Sequence, residues 1–75
     1  MGQEVDLILE DAAGRIVGIE VKAAVSLDAH DLQGLKVLAE LSSDRFLRGI
    51  IFYLGDVVVP FGKDLWAVPV SRAWS

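Results

Sequence analysis

The chain is most informative at first for what it lacks. Its 75 residues include no cysteine and one histidine, His30. The absence of cysteine excludes disulfides and thiolate zinc sites. A single histidine, predicted to lie exposed in the first turn of a helix, is a poor basis for a metal site. No run of 18 apolar residues is present, so the pattern predicts no membrane span. The first four residues lack the basic and apolar regions of a signal peptide, so we expect a cytoplasmic protein.

Positive charge is also scarce. Seven Lys and Arg residues stand against eleven Asp and Glu residues, for a formal net charge of −4. The basic residues are scattered along the chain and form no stripe of the kind that tracks a phosphate backbone. This pattern predicts weak nucleic-acid binding by the chain alone. It leaves open a nuclease whose substrate is held by another domain or by a dimer mate.

Apolar residues are abundant for so short a chain. They make up 53% of the sequence, and the mean hydropathy is +0.48. A domain of about 60 residues buries only about 60% of the surface of its unfolded chain. The excess of apolar surface therefore predicts self-association, with a homodimer as the expected form, or the loss of a partner segment.

Two alternating stretches predict a β-hairpin at the start of the chain. Residues 4–10 and 15–23 both alternate between apolar and polar positions, as half-buried strands do. The loop Ala12-Ala13-Gly14 has glycine where a three-residue hairpin loop needs a left-handed residue. This loop fixes the register, because a shift by one residue would put the two apolar sets on opposite faces. Asp6 is then predicted to face Glu20.

The predicted pair of carboxylates suggests a metal site. Directly opposed side chains on neighbouring strands have Cβ atoms about 5 Å apart, and two carboxylates at that distance repel each other. A hard divalent cation, Mg²⁺ or Mn²⁺, would turn the repulsion into attraction. Lys22 shares their face and could orient the attacking water or stabilise developing negative charge. The alternative is a solvated acidic face on which Lys22 pairs with Glu4.

The remaining chain predicts one helix and three more strands. Asp28 is the expected N-cap of the helix, with Asp31 in its first turn, and residues 42–44 end it. Strands follow at 48–54, 57–59 and 65–70, the second at a sheet edge because Pro60 stops it. The fold class is α/β, with a mixed sheet of about five strands and one helix packed on one face. We expect the strand at 48–54 to be covered on both faces.

We expect that helix on the odd-numbered face of the hairpin, which is the more apolar one. Asp6, Glu20 and Lys22 would then lie on the helix-free face. Ile8 and Ile16 would share that helix-free face and would need cover, which a second copy of the chain could supply.

Asp6, followed after a hairpin by Glu20-Val21-Lys22 and then a helix, resembles the PD-(D/E)XK nuclease superfamily. A closer resemblance is to the uncharacterised domain at the C-terminal end of many prokaryotic AAA+-type ATPases. In that domain a segment like Glu4–Leu7 precedes one like Ile19–Lys22, and a tail like Gly49–Asp56 follows, ending near Pro69. The resemblance implies a restriction-endonuclease-like core in which Asp6 and Glu20 bind Mg²⁺ and Lys22 is the catalytic lysine.

The chain departs from the superfamily pattern in two ways. Val5 replaces the proline of the superfamily name. A helix and a strand normally precede this point in the superfamily core, so residues 1–75 are expected to form a single nuclease-like domain that is a fragment of the usual core.

Two functions follow as hypotheses. The first is a Mg²⁺-dependent phosphodiesterase that uses Asp6, Glu20 and Lys22. The second is a catalytically inert structural or dimerisation module derived from an ATPase-associated domain. Retention of the three residues favours the first, while the acidic charge and small size favour the second.

Overall fold

The structure, a computed structural model, describes residues 5–74, except for the side chain of Trp74. It confirms the α/β class, with a mixed five-stranded sheet and one α-helix packed against it. The strands are β1 (Leu7–Glu10), β2 (Ile16–Val21), β3 (Phe46–Tyr53), β4 (Val59–Pro60) and β5 (Leu65–Pro69). The helix α1 spans Gln33–Ser42, and 3₁₀ turns lie at Ala29–Leu32, Ser43–Arg45 and Val70–Trp74. None of the helices within residues 5–74 is long and apolar enough to cross a membrane.

The predicted hairpin is confirmed in loop and register. Leu7 lies opposite Ile19 and Glu10 opposite Ile16, as the three-residue loop requires. Gly14 has φ +83°, the left-handed conformation that glycine adopts without steric cost. At the mouth of the loop the Asp11 carboxylate lies 2.7 Å from the Arg15 guanidinium.

A parallel crossover connects the hairpin to the rest of the sheet. The strand order is β1-β2-β3-β5-β4, with β2, β3 and β5 parallel and the two edge strands antiparallel to their neighbours. The prediction that β3 runs parallel to β2 is confirmed. The edge position predicted for the strand at 57–59 is confirmed, although β4 itself is Val59–Pro60 and includes the proline. Lys22 N–H donates to the Phe52 carbonyl at 2.9 Å, which continues the pairing beyond Val21.

The start of the helical segment follows the predicted capping. Asp28 is the N-cap, and its carboxylate accepts hydrogen bonds from the backbone N–H groups of His30 and Asp31. The Asp31 carboxylate in turn accepts from the Asp28 backbone N–H at 2.9 Å. This capping box satisfies the otherwise free N–H groups of the first turn. The turn is 3₁₀ before it becomes α1.

The face on which α1 packs differs from the prediction. A Cβ added at Gly18 would lie 2.6 Å from Leu38 Cδ2 and 2.8 Å from Leu35 Cδ2. The helix therefore covers the even-numbered face of β2, which also carries Glu20. The expectation of a helix on the odd-numbered face was wrong. Gly18 and Gly49 have no side chains, and the depression that they leave in the face of the sheet that carries Glu20 accommodates two leucines of α1. Ile16 is buried on this face and is not available to a second chain.

The opposite face of the sheet, here called the open face, has no covering layer within residues 5–74. The prediction that β3 is covered on both sides is therefore wrong for the described residues. On β1, β2, β3 and β5 the strand register puts ten side chains on this face, and several remain largely exposed, including Val21 at 57% and Leu7 at 49%. Nine of the ten are apolar: Leu7, Leu9, Val17, Ile19, Val21, Ile50, Phe52, Trp66 and Val68, with Arg48 the charged member.

Candidate functional site

Glu20 is the most unusual side chain among the described residues. It lies in β2 beside Ile51 of β3, on the face that the helix covers, and its exposure is only 6%. Its Oε1 atom is buried and has no hydrogen-bond partner. Buried carboxylates are normally paired or bound to a metal, because an unpartnered one loses its hydration without replacement.

Burial raises the pKa of Glu20 above its usual value, and the negative charges of Asp6 and Asp31 act in the same direction. The ammonium group of Lys22 opposes this shift. The site therefore favours any positive species that neutralises the carboxylate, whether a proton, an ammonium group or a metal ion.

Lys22 lies between two carboxylates. Its Nζ is 3.5 Å from Glu20 Oε2 and 3.8 Å from Asp31 Oδ1. The side chain is 36% exposed, so the ammonium group reaches solvent as well. The predicted alternative pairing of Lys22 with Glu4 involves a residue outside the described range.

Asp6 immediately precedes β1 and holds the end of the hairpin. Its carboxylate accepts a hydrogen bond from the Val21 backbone N–H at 2.7 Å. This bond keeps the Asp6 carboxylate at the end of β2, because Val21 is the residue that follows Glu20. The Asp6 carboxylate is close enough to raise the pKa of Glu20. The three predicted residues are thus grouped at one end of the hairpin, with one carboxylate exposed and the other buried.

Sequence reasoning missed the part that Asp31 plays in this group. The sequence pattern indicates only that Asp31 is a favourable acidic residue in the first helical turn. Its contact with Lys22 depends on how the start of the helical segment lies over the end of β2, which the local pattern does not specify. The signal available in the sequence was an acidic residue in the first turn of the helical segment that follows Lys22 after a loop at 23–28.

The chemistry of Asp6 and Glu20 suits a hard divalent cation, for which carboxylate oxygens and waters are the usual ligands. The unpartnered Oε1 of Glu20 is the atom in this group that most needs such a partner. Within the part of the chain that the structure describes, no three acidic, histidine or cysteine side chains converge on a single point. That part of the chain also contains no pocket. A cation held by Asp6 and Glu20 alone would have two protein ligands.

Two other side chains of types that often bind ligands, a histidine and a tryptophan, have ordinary settings. His30 is exposed in the 3₁₀ turn, as predicted. Trp66 is 36% exposed on the open face and is paired in register with Ile50. Its neighbours there are apolar, which fits an interface anchor better than a base-stacking platform. The side chain of Trp74 lies outside the described part of the chain.

Comparison with known proteins identifies the family. The model of a domain of unknown function, DUF4143, matches residues 1–73. The chain belongs to this family. DUF4143 domains are often found with AAA-type ATPases, which agrees with the resemblance based on Glu4–Leu7, Ile19–Lys22 and the tail. Searches of curated proteins and of solved structures each gave no match to the chain.

Proposed function

We propose that this DUF4143 chain carries a divalent-cation site of the phosphodiesterase type, with Asp6 and Glu20 as its protein ligands. The observation that carries the proposal is the buried Glu20 carboxylate, whose Oε1 has no partner. An ionised oxygen in that setting is stabilised strongly by a hard cation and poorly by the protein itself. Mg²⁺ and Mn²⁺ are the cations that this pair of carboxylates suits.

The proposed roles follow from the positions of the side chains. Asp6 is exposed and contributes a carboxylate that solvent and substrate can reach. Lys22 has its ammonium group 3.5 Å from Glu20 Oε2, where it would orient a water or stabilise negative charge on a phosphodiester. The cation, when bound, would supply Lewis acidity toward a phosphoryl oxygen. The PD-(D/E)XK resemblance supports the same assignment of roles.

Nucleic acid is the proposed substrate class, and the charge of the chain limits how it can be held. The net charge of −4 gives no long-range attraction to phosphates. Nucleic acid would therefore be bound weakly by this chain and would be presented by a neighbouring domain or subunit. A small phosphodiester such as bis(p-nitrophenyl) phosphate tests the chemistry without requiring a nucleic-acid surface.

Calorimetric titration with Mn²⁺ tests the site directly. The parent chain is expected to bind Mn²⁺, and Glu20→Gln is expected to lose that binding, because the substitution removes the charge of one ligand. Glu10→Gln is the matched control, since it removes one negative charge from an exposed position in β1. The proposal is wrong if the parent does not bind Mn²⁺, or if the two variants weaken binding equally.

Hydrolysis of the small phosphodiester separates binding from catalysis. Lys22→Ala is expected to retain Mn²⁺ binding and to lose turnover. Retained turnover in Lys22→Ala would remove the lysine from the proposed mechanism.

A second candidate function, an inert structural or dimerisation module, is favoured by the open face. Nine apolar side chains on four neighbouring strands form one continuous patch. From the strand spacing and rise, four strands of about five residues span about 19 by 17 Å. Two such faces packed together would bury roughly 650 Å², which is below the usual range for specific interfaces. A homodimer through this face is expected to be weak, and sedimentation equilibrium across a range of concentrations measures it.

A further inference from the structure

The Asp31 side chain is held in place by the capping box at the start of the helical segment. Its Oδ2 accepts the Asp28 backbone N–H at 2.9 Å, and its backbone N–H donates to Asp28 Oδ1 at 3.2 Å. Because Oδ2 is held by the capping box, the cap also sets the position of the second carboxylate oxygen. That second oxygen, Oδ1, is the one that lies 3.8 Å from Lys22 Nζ.

The backbone of Lys22 is fixed by a hydrogen bond, and its ammonium group lies near two carboxylates. Its N–H donates to the Phe52 carbonyl, which ties the residue to β3. Its ammonium group is shared between Glu20 Oε2 and Asp31 Oδ1 at similar distances. An ammonium group with Glu20 as its single partner would settle fully on that buried carboxylate, because attraction is strongest where water is excluded. The Asp31 charge provides a competing attraction from the other side.

We infer that Asp31 is a positioning residue that holds the Lys22 ammonium group beside Glu20 Oε2 and away from Oε1. This inference rests on the proposed function, since it explains how the lysine remains close to the acidic pair without occupying the place of the cation. Asp31 itself binds no cation in this scheme. It acts through Lys22, and its contribution disappears when the ammonium group is removed.

A double-mutant cycle with Asp31→Asn and Lys22→Met tests the inference. Asparagine removes the charge of Asp31 but keeps an oxygen that can accept the Asp28 N–H, and methionine keeps the apolar stem of the lysine. Asp28→Asn is the matched control, because it removes a neighbouring negative charge, and asparagine remains a good N-cap. Mn²⁺ affinity and Tm without metal are measured for all variants.

The expected result is that Asp31→Asn weakens Mn²⁺ binding by at least about threefold, more than Asp28→Asn does. In the Lys22→Met background the effect of Asp31→Asn should fall to that of the control. Without metal, the Tm changes of the two single variants should not add in the double variant, because both break the same contact.

Three other outcomes would overturn the inference. If Asp31→Asn weakens Mn²⁺ binding equally or more in the Lys22→Met background, Asp31 acts on the cation directly. If the parent binds Mn²⁺ but the Tm changes are additive, Asp31 does not hold Lys22, and the proposed function stands without it. If the parent binds no Mn²⁺, the proposed function fails, and with it the positioning role, whatever the Tm cycle gives.

Discussion

At the scale of the residue, Glu20 links stability to the proposed function. A carboxylate with an unpartnered buried oxygen costs the folded chain free energy, since the unfolded chain hydrates it fully. Such groups are common at functional sites, and a perturbed pKa is one sign of a functional site. The contrasting case is Asp11. A hydrogen bond from the Arg15 backbone N–H lowers the pKa of Asp11, and the carboxylate stabilises the hairpin loop.

The pH dependence of stability should reveal the cost of ionising Glu20. Its pKa is raised in the folded chain from an ordinary value of 4.5, so folding favours the protonated form. The associated stability is present below pH 4.5 and is lost as pH rises through the folded-state pKa. Glu20→Gln mimics the protonated form. It should therefore be more stable than the parent at pH 8, by about 1 kcal/mol, and the difference should shrink toward pH 4.

Thermal unfolding at several pH values measures this difference. A gain of about 1 kcal/mol corresponds to a rise in Tm of about 4–8 °C for a domain of this size. The other carboxylates titrate in both proteins, so the quantity to follow is the parent–variant difference. A Glu20→Gln variant that is less stable than the parent at pH 8 would mean that the ion pair with Lys22 outweighs the burial of the carboxylate.

At the scale of the element, one face of the sheet packs against the helical segment and the other, the open face, is partly exposed to solvent. The buried core lies between the helical segment and the sheet, and its members are Leu32, Leu35, Ile51, Tyr53, Leu65 and Ala67. Successive residues of β3 alternate between this core and the open face. Ile51 is fully buried, while Ile50 is only partly covered.

These two adjacent isoleucines form a matched test of which face is the core. Ile51→Val should destabilise the chain by about 1 kcal/mol, because it removes a buried methylene from a closely packed site. Ile50→Val should cost distinctly less, since its side chain retains contact with water. Urea unfolding of both variants gives the comparison. A larger loss for Ile50→Val would mean that the open face is the better-packed one.

At the scale of the whole molecule, a single layer of sheet has a helix on one side and an apolar surface on the other. Apolar patches of several hundred Å² on a small protein commonly mark interaction sites. The charge on this face comes from Arg48, at one end of the patch. The composition therefore predicted surplus apolar surface correctly, although the surface lies on the face opposite to Glu20.

Self-association through the open face should respond to one charge placed in it. Leu9→Lys introduces an ammonium group into the patch at a side chain that is 48% exposed, so the dimer should weaken while the monomer still folds. Leu41→Lys is the control, because Leu41 is 79% exposed on α1 and lies outside the patch. Sedimentation equilibrium should show a lower average mass for Leu9→Lys alone. An average mass independent of concentration in the parent chain would contradict the dimer.

The sequence by itself determined the hairpin, its loop, its register and the succession of strands and helix. These features depend on local rules: period-two alternation, the left-handed glycine at Gly14, the cap at Asp28 and the edge position of Pro60. The grouping of Asp6, Glu20 and Lys22 at one end of the hairpin followed from that register. The metal ligation and the lysine's role remain predictions.

Only the tertiary structure decided which face of the sheet receives the helix. Alternation tells which residues share a face, but both faces of β2 carried apolar residues, and the more apolar one was the wrong choice. The close approach of Leu35 and Leu38 to Gly18 settled it, because small residues leave the space that a helix needs. That packing buried Glu20 and placed Asp31 beside Lys22. The burial of Glu20 and the contact between Asp31 and Lys22 both depend on segments that come together only when the chain folds. No local sequence pattern therefore specifies them.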